Sequence, residues 1–398
     1  MKKTILLLFT FSTLLLSNQK YLILAEGNGW FPHMAINLIK NHDKISKLPF
    51  HGFVVVGNTF TERTMRKDHI LKYHKVWNEL KGLKDLYPKK HNFLQINIDF
   101  PADYWNDSAW EMVTQNFYTV AKVAKELGFK GIVFDDEPYV KSAKKMINFK
   151  FPTKNNLIET PKKYNDWEKK GAEEDWVDKS AYRNPKYTFQ EHTQKVQSRF
   201  KAIMKAMVRA YPKLTVLVYL GPSLSHANSN KEYLIVINMG LARENELHGP
   251  IFVGLKQGLG ALSSLHDMGE SYKYRKDKHF GYAYQWRKNN IAKNRYNDLL
   301  DNSYQWIVPI SERKTWSKEV QVGFMVFNKG QISNYKEYNT LKTSSREDIG
   351  NTLNKALKYS DKYVIYYCHN QDWLLAKDEP LTNEWMSMMK NIHNNNTK

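Results

Sequence analysis

"SAWEMVTQNFYTVAKVAKELGFKGIVFDDEPY" runs from Ser108 to Tyr139. Ser108-Ala-Trp-Glu111 is a capping-box pattern, which predicts the start of a helix. Val113, Phe117, Val120, Ala124 and Leu127 then recur at helical spacing and predict one buried stripe. Gly128 stands where a C-terminal cap belongs. The run "GIVF" from Gly131 is continuously apolar, as a strand covered on both faces would be. A similar run, "NFLQINIDF" from Asn92, precedes the helix. Strand, helix, strand in that order is a βαβ unit, whose strands lie parallel.

The pattern repeats along the chain. Further strand candidates are "KYLILAEG" from Lys20, "GFVVVGN" from Gly52, "LTVLVYLG" from Leu214 and "LSSLHDMGE" from Leu262. "VQVGFMVF" from Val320 and "KYVIYYCHN" from Lys362 complete the series. A second capping box, Thr188-Phe-Gln-Glu191, opens a helix carrying Val196, Phe200, Ile203, Met207 and Tyr211. A third helix shows Ile349, Leu353 and Leu357. Eight strands alternating with helices predict an α/β fold, a (β/α)8 TIM barrel over residues 20–393. The runner-up is a doubly wound open sheet. It would want a glycine-rich phosphate loop after the first strand, and "AEGNGW" (Ala25 to Trp30) lacks the third glycine. Residues 141–187 form a long insertion after strand four, rich in Lys, Asn, Asp and aromatics. Its place predicts a rim over the catalytic end of the barrel. Residues 394–398 read as a disordered tail.

Lys2 and Lys3 followed by the apolar run Ile5 to Leu16 have the layout of a secretory signal peptide, read as residues 1–19. The expected location is secreted or periplasmic, with no stable membrane insertion once the signal is removed. Cys368 is the single cysteine, so no intrachain disulfide can form, and its apolar surroundings predict a buried thiol. Sixty basic residues face forty acidic ones, for a formal charge of +20. Such a field favours anionic partners, although solvated surface lysines produce it as well. No nucleic-acid-binding motif accompanies the charge.

Asp135, Asp136 and Glu137 close strand four. Alternation puts Asp135 and Glu137 on one face and Asp136 on the other. Glycoside hydrolysis needs a carboxylic acid to protonate the leaving oxygen and a second group at the anomeric centre. A neighbouring carboxylate keeps such an acid protonated. Glu137, Asp135 and Glu270 are therefore the candidate catalytic residues. Candidate substrate-binding residues are Glu26, Asp136, Tyr139, Tyr219, Asp267, Tyr272, His369 and Trp373, all at or near strand ends. Asp99 and Asp372 also stand there, and read better as caps of helix N-termini. A hard cation held by Asp135, Asp136, Glu137 and Asp267 is a rival use of the same acids. HExxH, paired-His and Cys-rich spacings are absent from the sequence, so no metal or other cofactor is expected. The GxSxG elbow is absent too.

"LPFHGFVVVG", the Asp103–Tyr139 segment and "SDKYVIYYCHNQDW" resemble segments of a bacterial TIM-barrel family of glycoside-hydrolase-like proteins. That family shows an FDxEPY step at strand four, which here falls on Asp135, Glu137, Pro138 and Tyr139. Asp136 departs from the neutral residue expected between them. The resemblance covers most of residues 20–375 and implies a barrel with glycosidase-type chemistry, without a substrate. A looser likeness is to chitinase-type barrels, whose strand-four Asp-x-Glu and strand-eight Trp would fall on Asp135, Glu137 and Trp373. The longer acidic signature of that type is missing, because residues 131–134 are "GIVF".

The reading that results is a glycoside hydrolase acting on a polysaccharide or glycan, an anionic one included. The alternatives are a non-catalytic glycan-binding barrel of the cell envelope and a metal-dependent hydrolase.

Overall fold

The computed structural model describes residues 19–26, 31–66, 69–98, 104–137, 187, 189–222, 247–269, 271, 274–293, 295–298, 303–306, 308–328, 344–368, 373–375 and 383–395. The signal segment (to residue 18), nearly all of the 141–187 insertion and Thr188 lie outside this set.

Six parallel strands come first: β1 (Tyr21–Glu26), β2 (Gly52–Val55), β3 (Phe93–Asn97), β4 (Gly131–Asp135), β5 (Thr215–Val218) and β6 (Ser264–Asp267). A separate antiparallel hairpin, unforeseen in the sequence, pairs β7 (Arg295–Asp298) with β8 (Ser303–Trp306). Then come β9 (Val320–Val322), β10 (Phe324–Phe327) and β11 (Tyr363–Cys368). The main sheet has nine strands in the order β10-β11-β1-β2-β3-β4-β5-β6-β9. Only Gly323 separates β9, which pairs with β6, from β10, which pairs with β11. The two short strands are thus one interrupted strand, and the sheet closes into a barrel of eight positions. Each of the eight strands expected from the sequence is present.

Between the strands run α1 (Ala35–Lys40), α2 (His42–Ile45), α3 (Tyr73–Leu80), α4 (Asp107–Glu126), α5 (Phe189–Ala210) and α6 (His248–Gln257). They are followed by α7 (Asp277–Gln285), α8 (Ile310–Glu319), α9 (Arg346–Tyr359) and α10 (Asn383–Asn395). α4 begins two residues earlier than the capping box implies. Its cap is Asn106, whose Oδ1 accepts from Ala109 N at 3.1 Å and from Ser108 Oγ at 2.9 Å. An asparagine at the cap position satisfies an orphan amide of the first turn, as Ser108 would have done two residues later. The other end follows expectation. Gly128 has φ +75°, its N–H donates to Lys125 O, and Phe129 N–H reaches Ala124 O, which is a Schellman cap. α10 runs to Asn395, two residues into the stretch expected to be a disordered tail.

Alternation along the strands sorts side chains into two layers. Ile23, Val54, Phe93, Val133, Leu217 and Ile365 fill the lumen. Leu22, Leu24, Ile132, Phe134, Val216 and Val364 face the helices. Cys368 is buried in the outer layer, with Sγ 3.6 Å from Ala25 O. Among the described residues no helix is long and apolar enough to cross a membrane.

Candidate active site

β4 decides where the acids point. Val133 lies in the lumen, so Asp135 stands on the inner face at the C-terminal mouth of the barrel. Phe134 packs outward, and Asp136 follows it to the outer side. Asp135 is only 2% exposed. It is held from two directions. Gln95 Nε2, from the inner face of β3, donates to Asp135 Oδ2 at 3.3 Å and to Asn97 Oδ1 at 2.8 Å. Glu137 N–H donates to Asp135 Oδ1 at 3.1 Å, an Asx-type turn that fixes the backbone on which Glu137 is mounted. Glu137 itself is half-buried.

Tyr219 follows β5 and also belongs to the lumen. Its N–H donates to Phe134 O at 3.1 Å, which sets it beside Asp135. The hydroxyl is buried and has no hydrogen-bond partner among the described residues. Burial first, then the charges of Asp135 and Glu137, hold the phenol well above its ordinary pKa. It therefore stays a protonated donor.

Asp136, Asp267 and Trp373, read from the sequence as substrate-binding, do not face the lumen. Asp136 is fully buried on the helix side. Its Oδ1 accepts from Leu220 N at 2.9 Å, and its Oδ2 meets His248 Nδ1, on the first residue of α6, at 3.0 Å. Asp267 is the residue after lumen-facing His266 and therefore turns outward. Its Oδ1 meets Arg287 Nη1 at 3.4 Å, while its Oδ2 has no hydrogen-bond partner among the described residues. Burial pushes its pKa up to about 6 against the opposing pull of Arg287, with Asp136 adding to the rise. Trp373 is fully buried in the outer layer, edge-on to Phe50 at 5.1 Å. The four acids weighed as a cation site are thus divided between two faces of the sheet. Among the described residues no group of three or more His, Cys, Asp or Glu is arranged to hold a metal ion.

No family model and no curated protein matches the chain. Solved structures do resemble it in layout. One is a GH5-4 broad specificity endoglucanase from an uncultured bacterium, at 8% identity over 95% of this chain and 94% of that one, with a TM-score of 0.44. Another is a beta-1,4-mannanase from the common sea hare Aplysia kurodai, at 10% identity over 94% and 93%, with a TM-score of 0.42. A third is a GH18 chitinase from Pseudoalteromonas aurantia, at 10% identity over 89% and 97%, with a TM-score of 0.36. Likenesses this distant do not speak for activity, and the chemistry must come from the residues.

Of the other candidates, Glu26 ends β1 in register with Cys368. Tyr139, Glu270, Tyr272 and His369 lie outside the described residues, as do Asp99 and Asp372. Four contributors were missed in the sequence. Gln95 and Asn97 had a signal: two polar residues at i and i+2 inside an apolar strand share one face. His248 and Arg287 had none, because each meets its carboxylate only through the fold.

Proposed function

We propose that the protein is an exported glycoside hydrolase that cleaves a polysaccharide or glycan at the mouth of its barrel. The observation that carries this reading is Asp135. It is a carboxylate buried on the inner face of a barrel strand end, tied to the backbone of Glu137 and flanked by Tyr219, whose hydroxyl is buried. Barrel enzymes place their reacting groups at this end of the strands.

In this reading Glu137 is the general acid. It gives its proton to the glycosidic oxygen as the bond to the anomeric carbon breaks. Asp135 orients it through the Asx turn, and its negative charge favours the protonated form of the neighbouring acid. Tyr219 donates its hydrogen bond to a substrate oxygen. Glu270 is the candidate for the group facing the anomeric carbon, where it either attacks that carbon and is later displaced by water or takes the proton of the water that attacks, and Tyr139 and Tyr272 are candidates for lining the sugar site.

The test compares wild type with Glu137→Gln on a panel of neutral and acidic polysaccharides, using the mature chain recovered from outside the cytoplasm. Sequencing its N-terminus, expected near residues 18–21, checks the export. General acid catalysis contributes about 10²–10⁴-fold, so turnover should fall by that order while the melting temperature stays put. Undiminished hydrolysis by Glu137→Gln would overturn the assignment. Tight glycan binding by wild type without any turnover would mark a binding barrel instead.

A further inference from the structure

α8 carries its charges on two opposite faces. Glu312, Thr315 and Glu319 point one way, onto Lys256 of α6. The Nζ of that buried lysine meets Glu312 Oε2 at 2.7 Å, Glu319 Oε2 at 2.6 Å and Thr315 Oγ1 at 2.9 Å, which uses all three of its donors. Ile310, Arg313, Lys314 and Ser317 recur at i, i+3, i+4 and i+7, which places them together on the other side of the helix. The helix's two glutamates are thus drawn to the lysine, and its opposite face is left cationic.

That face forms one wall of a surface groove of about 570 Å³. The other wall is the π-helical turn Trp286–Asn290 and the residues after it, which contribute Lys288 and Lys293. Among the described residues, four basic ones and no acidic one line the groove. Lys288 pairs with Asp361 at 2.8 Å, and Arg313 is anchored through Nε to Val308 O at 3.0 Å. Lys293 and Lys314 are exposed. At the edge Ile310 is 74% exposed, an apolar surface of the kind a sugar ring can lie on. The cationic face runs about 10 Å along the helix at 1.5 Å per residue. Lys288 also donates to the carbonyl of Val320, the first residue of β9, so the groove sits towards the N-terminal end of the barrel, opposite the mouth.

We propose that this groove is an accessory binding site for an acidic polysaccharide, a chain of uronate sugars whose carboxylates lie against Lys314 and Lys293. The field of a +20 protein would bring such a chain in from solution, and a second foothold raises the effective concentration of the same chain at the mouth. A nucleic acid fits less well, because none of the described lining residues is an aromatic that could stack a base. The choice of a glycan among polyanions rests on the function proposed above.

The experiment measures binding of a short galacturonate oligosaccharide by calorimetry to wild type and to Lys293→Glu/Lys314→Glu. Both positions are exposed, and a thermal melt confirms that the variant folds. The expected result is a loss of affinity of about tenfold or more in the variant, together with weakening in wild type as salt is raised. A neutral gluco-oligosaccharide should bind both proteins alike. Equal galacturonate affinity in the two proteins would overturn the proposal. So would single-stranded DNA or anionic vesicles binding wild type more tightly than galacturonate does. The readout is binding, so it stands or falls separately from any catalytic role of Glu137.

Discussion

Asp135, Asp136 and Glu137 are neighbours in sequence with the same charge, yet the structure gives them different work. Asp135 and Glu137 belong to the mouth of the barrel, and Asp136 belongs to its wall. The difference can be measured by substitution. Asp136→Ala takes the carboxylate away from His248 and from the Leu220 N–H in a fully buried site, so the cost should be about 3–5 kcal/mol, as for the loss of one partner of a buried pair. Urea unfolding reads that loss directly. A variant as stable as wild type would mean that Asp136 does not hold the wall together. Glu137→Gln, by contrast, removes one of several clustered negative charges from a half-buried position and should leave stability unchanged.

At the scale of the element, the interruption of the seventh barrel strand at Gly323 stands out. A Cβ at this position would lie 2.4 Å from Met268 Sδ and 2.7 Å from Tyr363 O, both closer than atoms can approach. The residue also connects the two halves of the strand to their surroundings. Its N–H donates to Asp267 O at 2.8 Å, and its carbonyl accepts from Arg287 Nη1 at 3.0 Å. The methionine could shift, but the Tyr363 carbonyl belongs to β11 and cannot shift without moving that strand. Gly323→Ala should therefore cost about 1–3 kcal/mol, the range for overpacking a filled site. A thermal melt of the variant checks this, and a melting temperature at or above that of wild type would contradict it.

The whole molecule should respond to acid through two opposed sets of groups. Burial lowers His51, His91 and His266 to about 3, with neighbouring lysines or histidines adding to the effect. Unfolded histidine titrates near 6.5, so between that value and about 3 the unfolded chain binds more protons. Stability is then lost as the pH falls through that window. Asp267 works the other way. Its folded value of about 6 lies above the ordinary 3.8, so the native state binds the extra proton between them, and stability is lost as pH rises from about 4 to 6. Asp267→Asn removes this second contribution alone. Relative to the variant, wild type should lose up to about 3 kcal/mol between about pH 4 and pH 7, because each tenfold change in proton affinity is worth about 1.4 kcal/mol. Urea midpoints across that range test it, and parallel pH profiles for the two proteins would show that Asp267 does not titrate there.

The eight strands of the barrel, the body of α4 with its glycine cap, and the inward direction of Asp135 were all legible in the amino-acid sequence. They depend on periodicity and on local backbone chemistry, which a one-dimensional string records. The direction of Asp136 was legible as well, since alternation alone sends it away from Asp135. Other features had to wait for the tertiary structure. His248 reaches Asp136 across 112 residues of chain, and Arg287 reaches Asp267 across 20. Nothing local marks either pair. Trp373 read as a floor for sugar and proved to be core, because a tryptophan near a strand end serves either purpose with the same sequence. The acidic and basic faces of α8 follow from spacing, but only packing showed that Lys256 occupies one of them and a groove lies beside the other. Periodicity tells which side of an element a residue is on, and what stands opposite that side is settled only when distant parts of the chain close around it.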